Sequence, residues 1–345
     1  MTQMKAWLAD GYGNPGAVLT LGDLPVPQPK KGQVLVHIHA SSLNPIDLRM
    51  TQGYGASLRR LAVRNEFPFV AGRDVVGEVV EAGPKATKFK PGDRVVGITG
   101  IRDVGAHAEF SAITETNLAH APAGIPSAEL AALPYVGLTT WTALVSHLGL
   151  DPDDAAGQHI FVHAGSGGVG SFTIQWARAL GMRVTTTCGP SNVDWVRELG
   201  ADTVINYAQS DYRREVRDVD FAYDTLGGEH ESATARLVRR GGGYVSIVHQ
   251  MMPYTDQHGL VLGGLRAAGR VLRKKIWNKV TGRTYAWSIC QPSEAGIEHI
   301  IDKVANGQIK PVVELDLPMT DIVDGYAHLE TGHTKGKIVL RWDGV

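Results

Sequence analysis

Cysteine is nearly absent: Cys188 and Cys290 are the only two among 345 residues. That excludes a disulfide framework and any metal site needing three or four thiolates, and it fits a reducing compartment. Charge of one sign is not in excess either. Lys plus Arg total 34 against 35 Asp plus Glu, a formal net charge of -1, so no global field draws the chain to a polyanion and nucleic acid is not an expected partner. No run of 18 apolar residues occurs that could span a bilayer. With 43% hydrophobic and 20% charged residues the composition is that of an ordinary globular protein, not a disordered one. The opening Met1-Thr2-Gln3-Met4-Lys5 resembles neither a signal nor a transit peptide. A cytoplasmic protein of roughly two domains, at about 150 residues each, is the expectation.

What is present changes texture along the chain. Residues 33–39 alternate with period two, and short strands recur at 75–80, 94–98 and 108–113 between Gly/Pro turns, which predicts an all-β barrel. Helical spacing begins after Pro122, with Ser127 available as an N-cap. The first domain is therefore placed at 1–124 and the second at 125–306. From His159 onward, strands near 159–164, 183–188, 203–207, 219–225, 243–248 and 284–290 alternate with helices. That alternation predicts an α/β fold with a doubly wound parallel sheet.

Directly after the strand at 159–164 stands Gly165-Ser166-Gly167-Gly168-Val169-Gly170, followed by a helix. One glycine permits the tight turn, the next lets backbone approach a pyrophosphate, and the last lets helix and strand pack, with the helix N-terminus facing the anion. A dinucleotide site is expected there. The second strand ends Thr185-Thr186-Thr187-Cys188 and continues Gly189-Pro190-Ser191-Asn192, without the carboxylate that bonds an NAD ribose. Thr187, Ser191 and Asn192 would tolerate a 2′-phosphate, which favours NADPH; the plainer alternative is a polar turn after an NAD-binding strand.

Chemistry that would activate an alcohol is missing. Neither cysteine falls in the first domain, His159 and His163 lie about 13 Å apart along a strand, and His37 and His39 have no acidic or thiol partner in sequence, so no metal is expected. None of the ten tyrosines has Lys four residues later. A hydroxyl proton has a pKa of about 16 in water, and a metal that brings a bound oxygen to about 7 is worth on the order of 12 kcal/mol. Without that help the suitable substrate is already electron-poor, a quinone or an α,β-unsaturated carbonyl.

The run Val162-His163-Ala164-Gly165 to Gly170, with Leu43-Asn44-Pro45-Ile46-Asp47, Gly72-Arg73-Asp74, Pro91-Gly92-Asp93-Arg94-Val95, Gly137-Leu138-Thr139-Thr140-Trp141, Leu199-Gly200-Ala201-Asp202 and Gly332-His333-Thr334-Lys335-Gly336-Lys337-Ile338, resembles the zinc-independent quinone oxidoreductases of the medium-chain dehydrogenase/reductase superfamily. The insertion at about 251–290 is similar to the reticulon-4-interacting mitochondrial subgroup. The resemblance spans nearly the whole chain. It implies a GroES-like β-barrel catalytic domain completed by 307–345 and an inserted Rossmann domain that binds NADPH. Zinc enzymes of the superfamily carry Gly-His-Glu where this chain reads Gly72-Arg73-Asp74, and a ligand cysteine where it reads Leu43-Asn44. Carried across, the resemblance implies Asn44 beside the nicotinamide and Tyr54 as a proton donor in the substrate cleft between the domains. Thr139, Gly165, Ser166, Gly167, Gly168, Val169 and Gly170 would hold the cofactor, with Tyr207 near the adenine. Leu226, Val248, Tyr285 and Trp287 would approach the nicotinamide, and Lys335 and Gly336 would close over it. Many relatives have Lys where Asn192 stands, which would weaken the grip on the 2′-phosphate. For Tyr54 the competing expectation is a loop tyrosine, and for Asn44 a turn residue before Pro45.

Residues 266–283 hold seven Lys or Arg and no acid, with Leu265, Ala268, Leu272, Ile276 and Val280 at helical spacing. A helix with its apolar side in the core and a solvated cationic face is expected. The alternative is contact with a membrane surface, which would suit a polyprenyl quinone or an anionic carrier such as coenzyme A. The expected activity is hydride transfer from NADPH to a small-molecule quinone or enone. An enoyl-thioester or alkenal reductase is the enzymatic alternative, and an NADPH-binding sensor or membrane-associated accessory protein the non-enzymatic one. The strand near 284–290 suggests a homodimer by edge pairing.

Overall fold

The computed structural model describes residues 2–62, 66–101, 103–248 and 251–342. The chain forms two compact units, one of Met1–Tyr135, Pro292–Asp302 and Pro311–Val345, the other of Val136–Gln291 and Lys303–Lys310. The border therefore lies at 135/136 and not at 124/125. The short helix Ser127–Ala131 turns Leu130 and Ala131 into the interior of the first unit, which keeps the chain there past the predicted border. At the other end, too, the second unit stops at Gln291 and takes back only Lys303–Lys310, so the predicted limit of 306 is not observed.

The first unit is the GroES-like domain. Gln33–Leu43 is its longest strand, 11 residues, and is buried on both faces from Ala40 to Leu43. In its seven-stranded sheet the order is Val313–Pro318, Lys337–Arg341, Gln33–Leu43, Asp74–Ala82, Arg94–Ile98 and Leu118–His120, with Phe110–Thr114 paired to Gln33–Leu43. The C-terminal strand Lys337–Arg341 pairs antiparallel with Gln33–Leu43 through Ile338 opposite Leu43. Chain start and chain end thus meet beside Asn44. The core is a cluster of Val34, Val36, Ile38, Val75, Val79, Val95 and Ile113, each inward residue spaced by two as the pleat requires.

The second unit carries the parallel sheet, in the order Thr203–Asn206, Arg183–Cys188, His159–Val162, Val219–Asp224, Val238–Ser246, Thr284–Trp287. Numbered by sequence this is 3-2-1-4-5-6, whose direction reverses between the first and fourth strands. The strand His159–Val162 is buried throughout, as a central parallel strand must be. The predicted strand at 243–248 begins earlier, at Val238, and Thr284–Trp287 ends short of the predicted 290. Thr284–Trp287 forms one edge of the sheet.

Candidate functional site

At the reversal point of the parallel sheet the first strand ends at Val162 and is followed by His163, which is fully buried, its Nδ1 3.1 Å from the Asp224 carboxylate. Asp224 closes the fourth strand and also accepts from the Tyr244 hydroxyl at 2.8 Å and from the backbone N–H groups of Leu226 and Gly227 at 3.0 and 2.9 Å. Burial opposes its ionisation, yet the bonds from His163, Gly227 and Tyr244 hold its pKa down at about 2. One carboxylate therefore ties together the loops that leave the two central strands. The predicted histidine pair is accounted for: His159 lies 2.8 Å from Thr185 Oγ1 and from Arg183 through its two ring nitrogens.

Beyond His163 the loop turns through Ala164, a non-glycine residue at φ +52, and Gly165. The Gly165 N–H donates to Thr187 O at 2.8 Å and the Ala164 N–H to Thr187 Oγ1 at 3.2 Å. Thr187 is thus an anchor of the glycine loop, 4% exposed. A Cβ on Gly170 would run into the Ala164 carbonyl, and one on Gly165 into the Thr186 hydroxyl, whereas the nearest atom to a Cβ on Gly167 is 3.5 Å away. Two glycines are needed for packing and the middle one leaves room above the loop. The helix Gly168–Ala179 starts at N-cap Gly167 without a side-chain cap. Its first N–H groups, beside Ser166, Gly168 and Val169, are left for a phosphate. These residues fit a nicotinamide dinucleotide, which when bound supplies a transferable hydride.

The end of the second strand bears no carboxylate. Ser191 is exposed in the turn Pro190–Asn192, and the Asn192 Oδ1 is buried without a hydrogen-bond partner. Tyr207 is 63% exposed, its hydroxyl 3.0 Å from where a Gly189 Cβ would stand, so its ring lies over the turn. Arg197, paired with Asp194 at 3.0 Å, lies close enough to oppose the upward push of burial on the Cys188 thiol. Sequence spacing overlooked this cation because it sits one turn into the following helix. Leu226 is 45% exposed, and Val248 packs on Gly227, 2.8 Å from its would-be Cβ. Tyr285 is instead taken up by the core, its ring 5.6 Å from Tyr244. It packs the sheet, while Trp287 on the same strand face is half-buried. Thr139 is buried in the helix Pro134–Trp141, and the neighbouring Thr140 bonds Thr173 at 2.8 Å, pinning the glycine-loop helix.

In the first unit Asn44 stands at the N-cap of the helix Pro45–Thr51, buried, with its backbone N–H donating to Asp47 Oδ2 at 3.1 Å. Its side-chain amide donates to Asp74 Oδ2 at 2.8 Å and its Oδ1 accepts from Lys337 Nζ at 2.5 Å. Asp74, 0% exposed, also receives Ser42 Oγ at 2.5 Å, Tyr135 N at 2.6 Å and the Lys337 ammonium at 3.5 Å. Burial lowers the Lys337 pKa, with Asp74 and Asp47 opposing that shift. Asp47 is pushed up to about 6 by burial, which Arg73 and the Asn44 bond counter. His107 is pushed down to about 4 by burial, partly offset by its contact with Ser42 O. Tyr54 is half-buried in the turn between Pro45–Thr51 and Ala56–Ala62, between Gly53 and Gly55, both at positive φ. Of the two predicted closing residues, Lys335 is exposed and Gly336, at φ +68, abuts Val312. The residue that reaches Asn44 is the next one, Lys337.

A model of the alcohol dehydrogenase GroES-like domain matches residues 30–123, and one of the zinc-binding dehydrogenases matches 199–340. The mitochondrial NAD(P)H oxidoreductase RTN4IP1 of Danio rerio is 33% identical over 98% of this chain and 91% of its own. The chloroplastic quinone-oxidoreductase QR1 of Triphysaria versicolor is 31% identical over 98% of each. The quinone oxidoreductase structure from Coxiella burnetii superposes with a TM-score of 0.83 at 28% identity, covering 99% of this chain and 100% of its own. The chain belongs to the medium-chain dehydrogenase/reductase superfamily, on its quinone oxidoreductase branch.

Zinc, implied by the matched domain's name, does not fit this oxidoreductase. Where a divalent ion would need anionic or neutral donors, the Lys337 ammonium already sits against Asn44 and Asp74. A second cation beside it would be repelled at short range. Among the described residues no group of three His, Cys, Asp or Glu side chains could hold a metal ion. The Lys337–Asn44–Asp74 set escaped periodicity because Lys337 opens the strand Lys337–Arg341, whose middle is apolar, and its partners are 293 and 263 positions away. A lone lysine heading an apolar run was the available signal.

Proposed function

We propose that this oxidoreductase uses NADPH and transfers hydride to a quinone or another α,β-unsaturated carbonyl. The reading rests chiefly on the Asn44 amide, held between Lys337 and Asp74: a fixed, buried polar group that can orient a substrate carbonyl but takes up no alcohol proton. An acceptor that is already electron-poor needs no more than such orientation, exclusion of water and a hydrogen bond to the developing oxyanion. Tyr54 is proposed to deliver the proton that accompanies the hydride, from its hydroxyl to the reduced oxygen. The preference for NADPH is supported by the absence after Thr187 of a carboxylate that would repel a 2′-phosphate, and by Arg197 nearby. The names of the relatives in Danio and Triphysaria support the substrate class.

The homodimer is proposed to form through the edge strand Thr284–Trp287, and the scarcity of cysteine, two in 345 residues, supports a reducing, cytoplasmic setting. The deciding experiment compares NADPH and NADH consumption across 1,4-quinones, 2-alkenals and crotonyl thioesters. Fastest turnover with NADPH and quinones is expected. Preference for thioesters would make it an enoyl reductase, and tight NADPH binding with no turnover on any acceptor would make it a sensor.

A further inference from the structure

The insertion forms a short helix, Met251–His258, and a longer one, Leu260–Val280, of 21 residues and about 31 Å. The longer helix contradicts the expectation that its apolar residues would enter the core. Its packed face consists of Gly263, Ala267 and Asn278, with the half-buried Val271 against the core and Arg270 and Lys274 turned onto Glu231. Gly263 is needed there, since a Cβ would strike the Tyr254 carbonyl of the shorter helix. At about 100° per residue, Val261, Leu265, Ala268, Leu272, Ile276 and Val280 fall on the opposite side. They are exposed, from 54% for Ile276 to 78% for Val261. Leu262 at 50% extends this face, while Trp277, 65% exposed, stands to one side of it. The sequence pattern is amphipathic, but the inner face is taken mostly by small and polar residues, Gly263 because a side chain there would strike the shorter helix.

The outward stripe is flanked by cations. Lys275 lies along one side and Arg266 and Arg273 along the other, with Lys279 at the C-terminal end of the stripe itself, all exposed, and no Asp or Glu occurs from Gln257 through Ser293. We infer that the outer face of Leu260–Val280 lies in the surface of an anionic lipid bilayer, apolar side chains among the acyl chains and cations at the headgroup phosphates. No helix among the described residues is long and apolar enough to cross a membrane, so the helix lies on the bilayer. A second copy of this chain fits less well. Face to face, two such helices would bring both cationic rims within the about 8–10 Å over which charges repel at ordinary ionic strength. An anionic bilayer satisfies the stripe and the rims together. This inference does not depend on the acceptor proposed above and is read without substrate.

The test is flotation of the full chain with phosphatidylcholine vesicles, pure or with about 30% phosphatidylglycerol. Binding to the anionic vesicles at least about tenfold tighter than to neutral ones, and weakened by salt, is expected. Leu265→Glu with Ile276→Glu should abolish it, and Arg273→Glu with Lys279→Glu should reduce it at least about tenfold, with the urea-unfolding midpoint of each variant retained. Absence of anionic-vesicle binding at low salt would overturn the inference. So would binding that survives Leu265→Glu with Ile276→Glu, which is adsorption by charge alone. A halved mass in light scattering for that variant, with no change in vesicle binding, would assign the face to a second copy instead.

Discussion

Replacing Lys337 by methionine would keep the aliphatic stem and remove the one ammonium inside the first unit's polar cluster. The stem is long enough to fill the same volume, so little cavity forms, and the loss is electrostatic. Asp74, at 0% exposure, would lose its cation, while Leu43 O and Asn44 Oδ1 would lose a donor. Removing one member of a buried pair costs about 3–5 kcal/mol. Asp74 keeps donors from Ser42, Asn44 and Tyr135, and burial already disfavours the charged Lys337. The lower end, about 3 kcal/mol, is therefore expected at pH 7. The assay is urea denaturation of Lys337→Met, Asp74→Asn and the double variant, followed by fluorescence. Once Asp74 is neutral, methionine strands no charge, so the double variant should recover at least about 1 kcal/mol relative to the sum of the singles. Strict additivity within about 0.5 kcal/mol would refute the view that these residues act as one charge-balanced unit.

Three further outcomes are expected. Asp47 has its pKa raised to about 6, so its contribution to stability is present below about 4 and lost as pH rises through 6; His107, lowered to about 4, contributes stability present above about 6.5 and lost as pH falls through 4. The two tilts, about 3 kcal/mol each, oppose, so Asp47→Asn should make stability climb with pH between 4 and 6.5 by about that amount relative to the parent; parallel profiles from denaturation at each pH would count against it. Gly170→Ala would force a Cβ into the Ala164 carbonyl, costing about 1–3 kcal/mol and weakening NADPH binding at least about tenfold by fluorescence titration; unchanged affinity would mean the loop does not cradle the cofactor. Asn192→Lys should tighten NADPH and leave NADH alone by about 1 kcal/mol, and an equal effect on both would misplace the 2′-phosphate.

By itself the sequence determined the local grammar of this protein. Short apolar runs between Gly/Pro turns marked the strand Arg94–Ile98, and the strand–turn–helix alternation marked Arg183–Cys188, each to the residue, and the glycine spacing after His163 located the turn at the sheet's reversal point, because strand pleat and backbone freedom are properties of neighbouring residues. What only the tertiary structure decided was partnership across long separations. Lys337 meets Asn44 because the final strand pairs beside Leu43, and Asp224 meets His163 because the fourth strand lies next to the first. Tyr285 went to the core, and the apolar side of Leu260–Val280 went outward. A helical stripe says that two faces differ, but which face is buried depends on what it packs against, and here the shorter helix leaves room only for Gly263 while Glu231 draws Arg270 and Lys274 inward.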